Sequence, residues 1–492
     1  MSIRGSYTGL FAVSFCGLIM DTKEYDLVVI GGGPAGAFGA WIATLFGKRV
    51  ALVEKKQNLG GAGINTGTIP SKTLRETALA LTGWRSRNLF GVDLSLRREA
   101  TIDEFFYHEK RVTTNERDRW TERLIAAGVE IVHGSACFKD ANTVGVLDGP
   151  DRDLALRGQY ILIATGSSPV RSPDIPFSDA RICDSNQILE LTKLPKRLAV
   201  IGAGVIGAEY ASTFAALDSE VFLIDGRPEL LPFLDREISQ RLRKAMESAG
   251  VQIRLKERVL RMDVSKPDNV SLHLTSGTVI EVDTVLVAGG RASNTDGLQL
   301  SNAGLTVGPR NLIIVKQHYQ TDVPHIYAAG DVIGPPALAS TSREQARVAM
   351  AHAFGNRDDQ ELSAILPNGI YTIPEVSMVG ESEETLAKKG IDFIVGHARY
   401  NESARGEIIG DDIGFIKLLF GRDDKRLLGV HVIGEHATEL VHLGLLVMMS
   451  NGGAELIHRT CFNYPTLGNL YTIATRRALF PQMDRAAMKS EK

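Results

Sequence analysis

Two glycine-rich loops, each followed by an acid at the same distance, carry the first chemistry in this chain. Gly31-Gly32-Gly33-Pro34-Ala35-Gly36 follows the apolar run Leu27-Val28-Val29-Ile30, and a helical pattern leads on to Val50-Ala51-Leu52-Val53 and Glu54. Gly202-Ala203-Gly204-Val205-Ile206-Gly207 follows Leu198-Ala199-Val200-Ile201 and leads in the same way to Val221-Phe222-Leu223-Ile224 and Asp225. The acid falls 23 residues after the first glycine in both copies (54 − 31 and 225 − 202). A lone GxGxxG is weak evidence, but the preceding strand, the helix and the terminal acid together make the dinucleotide-binding pattern. Gly31 and Gly202 permit the tight turn, Gly33 and Gly204 let the backbone approach a pyrophosphate, and Gly36 and Gly207 allow close helix–strand packing. The helix N-terminus then faces the diphosphate with free N–H groups and a partial positive charge. Glu54 and Asp225 stand where an acid accepts hydrogen bonds from an adenosine ribose. Arg227, two residues after Asp225, is suited to bidentate pairing with a 2′-phosphate that the acid alone would repel. An acid and a base side by side imply mixed use of NAD and NADP; the plainer alternative is a solvated loop arginine.

Such loops need buried parallel strands flanked by helices, so the expected fold class is α/β, with two Rossmann-like dinucleotide-binding domains. The chain has 492 residues, too many for a single core. The texture changes from about Pro367, where Leu427–Ile433 reads as a strand and Ala437–Met449 as an amphipathic helix, giving a C-terminal α+β domain. The expected division is an N-terminal extension over 1–22, a discontinuous first domain over 23–165 and 290–365, a second over 166–289, and the C-terminal domain over 366–492. Ile161–Gly166 reads as the strand and turn closing the first part of the first domain, Thr284–Gly290 as the exit from the second, and Ile326–Asp331 as the return. The net charge of 55 − 58 = −3 gives no sign of nucleic-acid or membrane binding. Cys16, Cys137, Cys183 and Cys461 show no CxxC or zinc spacing, which fits a reduced cytoplasmic protein without a metal site. The apolar stretch from Thr8 to Met20 is too short to span a bilayer; Met20 is the expected true start, with Asp21–Tyr25 leading into the first strand.

Gly60-Gly61-Ala62-Gly63-Ile64-Asn65-Thr66-Gly67-Thr68-Ile69-Pro70-Ser71-Lys72 resembles the redox-active helix of the flavoprotein disulfide reductases, the family of dihydrolipoamide dehydrogenase. That family carries two cysteines there, five positions apart, and here Gly63 and Thr68 stand in their places. A disulfide relay works by forming and breaking a sulfur–sulfur bond, which neither residue can do. Thr321–Asp331 resembles the family's second flavin motif, and this resemblance selects FAD for the first unit, with Asp331 on the ribityl chain. It further implies that Lys55, Gly61, Gly63, Thr68, Lys72, Thr165, Gly166 and Ala339 lie against FAD, and that Glu209 and Gly290 lie against NAD(P). Lys72 would sit near flavin N5 paired with Glu209; in isolation it would pass for a surface lysine. The family's C-terminal segment implies a homodimer or higher homo-oligomer.

Phe462-Asn463-Tyr464-Pro465-Thr466-Leu467-Gly468-Asn469 aligns with the family's His-Pro-Thr segment and downstream glutamate, with Tyr464 for the histidine and Asn469 for the glutamate. His458 has the wrong spacing and reads as an ordinary helix residue. Dithiol and acid–base pair are missing together while both nucleotide units remain, which points to loss of thiol exchange and retention of hydride transfer. Within the family this pattern is similar to the soluble pyridine nucleotide transhydrogenases, on Thr66–Glu76 and Asn463–Thr466, although that group often keeps the first cysteine and a glutamate after Tyr-Pro-Thr. The resemblance spans roughly residues 24–480 and implies a flavin-dependent oxidoreductase that exchanges hydride between NADPH and NAD⁺. The alternatives are an NAD(P)H diaphorase or quinone reductase and a non-catalytic flavoprotein that senses nucleotide redox state.

Overall fold

The computed structural model describes residues 22–83, 101–355 and 362–481; the segment Thr8–Met20 and Cys16 lie outside these. The first strand, Thr22–Ile30, starts before Tyr25, because Thr22–Tyr25 pair in parallel with Ala155–Gly158. Its neighbours Val50–Glu54 and Ala155–Ile163 are parallel to it, and Glu130–His133 extends the sheet beyond Val50–Glu54. Leu27, Val28 and Val29 are fully buried: Leu27 and Val29 pack with apolar residues of the helices Pro34–Leu45 and Ala339–Ala353, and Val28 packs on the other face with Phe138, Val144, Leu300 and Ile313. The long strand Ala155–Ile163 divides its pairing: its N-terminal half meets antiparallel Thr143–Val146, and its C-terminal half meets parallel Ile326–Ala328. The last pairing is the point at which the chain returns to the first sheet.

The second sheet repeats the plan with all strands parallel, in the order Val251–Leu255, Glu220–Asp225, Arg197–Ile201, Thr284–Val287 and Ile182–Asp184. An antiparallel ribbon of Ser167–Pro169 and Arg291–Ser293 joins the two units at the two chain crossings. A five-stranded antiparallel sheet of Asn368–Ile370, Val376–Gly380, Leu427–Ile433, Phe415–Gly421 and Phe393–Arg399 makes the C-terminal part, with the helix Ala437–Met449 beside it, in the bounds its sequence pattern suggests.

Seven helices place the side chains that matter below: α1 (Pro34–Leu45), α2 (Gly61–Asn65), α3 (Thr68–Leu81), α4 (Ile102–Ala126), α5 (Val205–Ala216), α6 (Arg236–Ser248) and α7 (Ala339–Ala353). α1 and α5 leave their sheets in the same way. Each begins after a glycine N-cap with no side-chain cap and no acid in the first turn, so the first N–H groups are left for a ligand.

Candidate active site

The two glycine loops have one construction. Gly31 has φ +102° and Gly202 φ +105°, and a Cβ on either would lie 2.5 Å from a carbonyl oxygen, of Ala164 or Ala288. Only glycine meets both conditions. A Cβ on Gly36 would stand 1.8 Å from the Gly31 oxygen, and one on Gly207 1.8 Å from the Gly202 oxygen, so each helix is pulled against its own turn. The middle glycines differ. A Cβ at Gly33 would meet only Gly61 Cα, at 3.7 Å, and one at Gly204 would meet nothing within 4 Å. Nothing in the chain's own packing demands glycine there. The space belongs to what approaches from outside, and a diphosphate on uncapped helix N-termini fits it.

The two acids differ in what they have left to offer. Glu54, buried, accepts from the Gly32 amide through Oε2 and from the Lys56 amide through Oε1, both at 2.8 Å. Two lone pairs remain for a ribose. Asp225 makes the matching bonds, from Ala203 N (2.7 Å) to Oδ2 and from Arg227 N (2.8 Å) to Oδ1. It then takes two more from the Arg227 guanidinium, Nε to Oδ1 at 2.9 Å and Nη2 to Oδ2 at 2.6 Å. A carboxylate has about four acceptor positions, so this one is full. Burial pushes the Asp225 carboxyl up, but the Arg227 and Ala203 donors more than offset this and hold it below the usual carboxylate range.

Between the units lies an ion pair. Lys72, in the first turns of α3, points Nζ at Glu209 Oε2 of α5 at 2.7 Å, with Ser71 Oγ at 3.2 Å. Glu209 is 7% exposed and Lys72 25%, so each charge depends on the other. Their meeting joins helices from the two different sheets.

Gly63 of α2 and Thr68 of α3, at the thiol positions, line a cleft with about 450 Å³ of empty space. Gly33 and Pro34 line it on one side, and Ala339 and Arg343 of α7 on another. Arg343 Nε is buried there without a partner, and its guanidinium lies 5.4 Å from the Trp120 ring centroid. A Cβ at Gly63 would lie 2.7 Å from Pro34 Cγ, so the loop and α2 have closed over the place a cysteine side chain would take. Asp331 Oδ2 accepts from Ser167 Oγ at 2.6 Å, and Arg291 donates to that same Oγ at 2.8 Å. Thr165 Oγ1 is buried and unpartnered, Gly166 (φ +69°) and Gly290 (φ +112°) have open space where a Cβ would stand, and Lys55 is exposed. The orphaned Arg343 Nε and Thr165 Oγ1, the open middle glycine Gly33 and the uncapped N-terminus of α1 make a donor set that fits FAD in the first unit. Arg343, Ser167 and Arg291 follow no spacing rule tied to the glycine loops, so sequence reasoning missed them. Tyr464 is 72% exposed, and His458 is an exposed residue of the short helix Ala454–Arg459.

The family model described as pyridine nucleotide-disulphide oxidoreductase matches residues 25–353, and its dimerisation-domain model matches 366–474. A Mycobacterium bovis protein named soluble pyridine nucleotide transhydrogenase is 44% identical over 450 residues, which cover 91% of this chain and 96% of that one. An Escherichia coli protein of the same name is 39% identical over 462 residues, covering 93% and 98%. Among solved structures, the HOCl-induced flavoprotein disulfide reductase RclA of Escherichia coli, as its Cu(II) complex, superposes with a TM-score of 0.84 at 26% identity over 92% of this chain and 99% of that one. LpdA of Mycobacterium tuberculosis superposes with a TM-score of 0.84 at 25% identity over 92% and 99%. No helix among the described residues is long and apolar enough to cross a membrane. With one family model matched through both glycine loops and the second through the C-terminal sheet, the chain belongs to the pyridine nucleotide-disulphide oxidoreductase family.

Proposed function

We propose that this protein is an FAD-dependent transhydrogenase that moves hydride between NADPH and NAD⁺ with no redox disulfide. The observation that carries the reading is the pairing of two complete glycine cradles with Gly63 and Thr68 at the thiol positions. Among the described residues the cysteines are Cys137 and Cys183, both buried, and the exposed Cys461. The names of the transhydrogenase relatives support the same reading. When bound, FAD supplies a two-electron carrier that takes hydride from one nicotinamide and returns it to another.

The chain's own part is to bind, to orient and to place charge. Residues 23–165 and 290–365 hold FAD: Gly33 and the α1 N-terminus take its diphosphate, the open lone pairs of Glu54 take the adenosine ribose, and Asp331 takes the ribityl chain. Residues 166–289 hold NAD(P) through Gly204 and the α5 N-terminus. A 2′-phosphate draws Arg227 off Asp225, whereas a 2′-OH displaces it and is received by the acid. Lys72 and Glu209 stand where the two units meet, so that Lys72 would put positive charge beside a bound isoalloxazine; fixed charge of this kind lowers a barrier without reorganisation. One nicotinamide pocket serves both nucleotides in turn, so NADP⁺ leaves before NAD⁺ enters. Residues 366–492 form the contact of a homodimer, with Leu446 and Met449 among its exposed apolar side chains. Buried thiols of this kind suit a reducing cytoplasm.

The test is anaerobic. NADPH mixed with purified holoprotein bleaches the visible flavin absorbance, and NAD⁺ added afterwards restores it. Bleaching that NAD⁺ fails to reverse, and that a quinone reverses, would replace this reading with a diaphorase.

A further inference from the structure

The Lys72–Glu209 pair has a third neighbour, supplied by neither dinucleotide unit. The C-terminal chain enters its sheet through Asn368–Ile370, leaves it, and re-enters at Val376. The five residues between make contacts with both α3 and α5. Arg75 of α3, 2% exposed, donates from Nε to Thr372 O at 3.0 Å and pairs through Nη1 with Glu375 Oε1 at 3.1 Å. Ser212 of α5 accepts from Ile373 N at 3.1 Å. Leu79 of α3, Ala216 of α5 and Ile373 form a small apolar cluster of their own. Tyr371 stands at the head of this segment. Its amide donates to Glu209 Oε1 at 2.9 Å, and its ring centroid lies 4.9 Å from Lys72 Nζ.

The contacts form two tiers. In the apolar tier Leu79, Ala216 and Ile373 fix the spacing of α3, α5 and the segment. In the polar tier Lys72, Glu209 and Tyr371 come from the same three elements. Glu209 is held through both oxygens, one by Lys72 and the other by the Tyr371 amide. Lys72 is held on one side by a carboxylate and on another by an aromatic face, which attracts an ammonium through its quadrupole. A lysine head on a flexible four-carbon stem needs such limits if its charge is to stay in one place. Burial pushes the Tyr371 phenol above its ordinary value, so the ring is neutral at physiological pH.

We propose that Tyr371 is a positioning residue for hydride transfer, its ring holding the Lys72 ammonium against Glu209 at the junction of the two dinucleotide units. The proposal rests on the transhydrogenase reading only in taking Lys72 to face the flavin. It makes the C-terminal part a contributor to the hydride site, beyond any role in assembly.

Tyr371→Phe keeps the π face, and Tyr371→Leu removes it; the Glu209 bond is made by backbone and survives in both. Three quantities are read on holoprotein: FAD content, the midpoint potential of the flavin by reductive titration with dithionite, and the rate of bleaching by saturating NADPH. Tyr371→Phe is expected to match the wild type within about twofold. Tyr371→Leu is expected to slow bleaching by about five- to ten-fold and to move the potential negative by about 20–30 mV, the same factor for a two-electron couple. FAD content stays unchanged. Tyr371→Met takes the place of the leucine variant if that variant does not accumulate as folded holoprotein. A wild-type potential in the variant without a ring, or equal losses in the phenylalanine and leucine variants, overturns the proposal. The titration needs no nucleotide, so it gives its answer even if the wild type fails to pass hydride to NAD⁺.

Discussion

Arg227 and Lys56 stand at matching places, two residues after the acid of their unit, and each gives its amide to that acid at 2.8 Å. Among the described hydrogen bonds only Arg227 also returns its side chain. This one difference separates an acid with room for a ribose from an acid already filled. Replacing Arg227 with alanine is therefore expected to raise the Michaelis constant for NADPH by about tenfold or more, the size of a charge-assisted hydrogen bond. The constant for NADH should fall or stay the same, since Asp225 is then free for the 2′-OH without displacing a side chain. Steady-state kinetics with each nucleotide checks this, and equal effects on both contradict it. Stability responds as well. The folded Asp225 carboxyl titrates below its unfolded value of about 3.9. Its contribution is therefore complete above that pH and is lost as pH falls through the folded value. The stability difference between wild type and Arg227→Ala should be full at neutral pH and shrink as pH falls below the unfolded value of about 3.9, as urea unfolding across that range would read.

The elements of the two nucleotide units are fixed locally, and for that reason they are legible. Strand, glycine turn, helix, strand and acid lie within one short stretch, and the third glycine of each loop answers to the first, five residues before it. The joints between elements are different. Lys417 sits in Phe415–Gly421 amid apolar residues, 2% exposed, and pairs with Asp235 Oδ1 at 3.0 Å and Oδ2 at 3.1 Å. Asp235 is fully buried and also caps α6 by accepting from Glu237 N at 3.1 Å. The two are 182 positions apart, and nothing in the pattern of either segment announces the other. This pair clamps α6 of the second unit to the C-terminal sheet. Lys417 also pairs with Glu237 Oε2 at 3.3 Å and with Glu383, so Lys417→Met should lower stability by about 3–5 kcal/mol, because it leaves the buried Asp235 carboxylate without its counter-ion and beside two further acids. Adding Asp235→Asn, which keeps a capping oxygen, should recover part of the loss. Denaturant titration of the two single variants and the double variant reads this as a non-additive cycle; additive losses contradict the clamp.

Across the whole molecule, what the sequence could say about the site divides the same way. The glycine cradles, their acids and the absent sulfur are written in contiguous residues. The pairing of Lys72 with Glu209 was legible only through resemblance to a family, since the two lie 137 positions apart, and Tyr371 lies a further 162 beyond Glu209. Its role follows from three-dimensional packing around Ile373, which no periodicity records. The central claim is that electrons cross this protein through flavin alone. Its most direct test is to reduce the holoprotein with NADPH without oxygen, treat it with a thiol-alkylating reagent, remove the reagent, and measure hydride transfer from NADPH to NAD⁺. Undiminished transfer, with no turnover of lipoamide or glutathione before or after treatment, is the predicted result. Loss of transfer in step with alkylation would mean that sulfur carries the electrons, and would contradict the account.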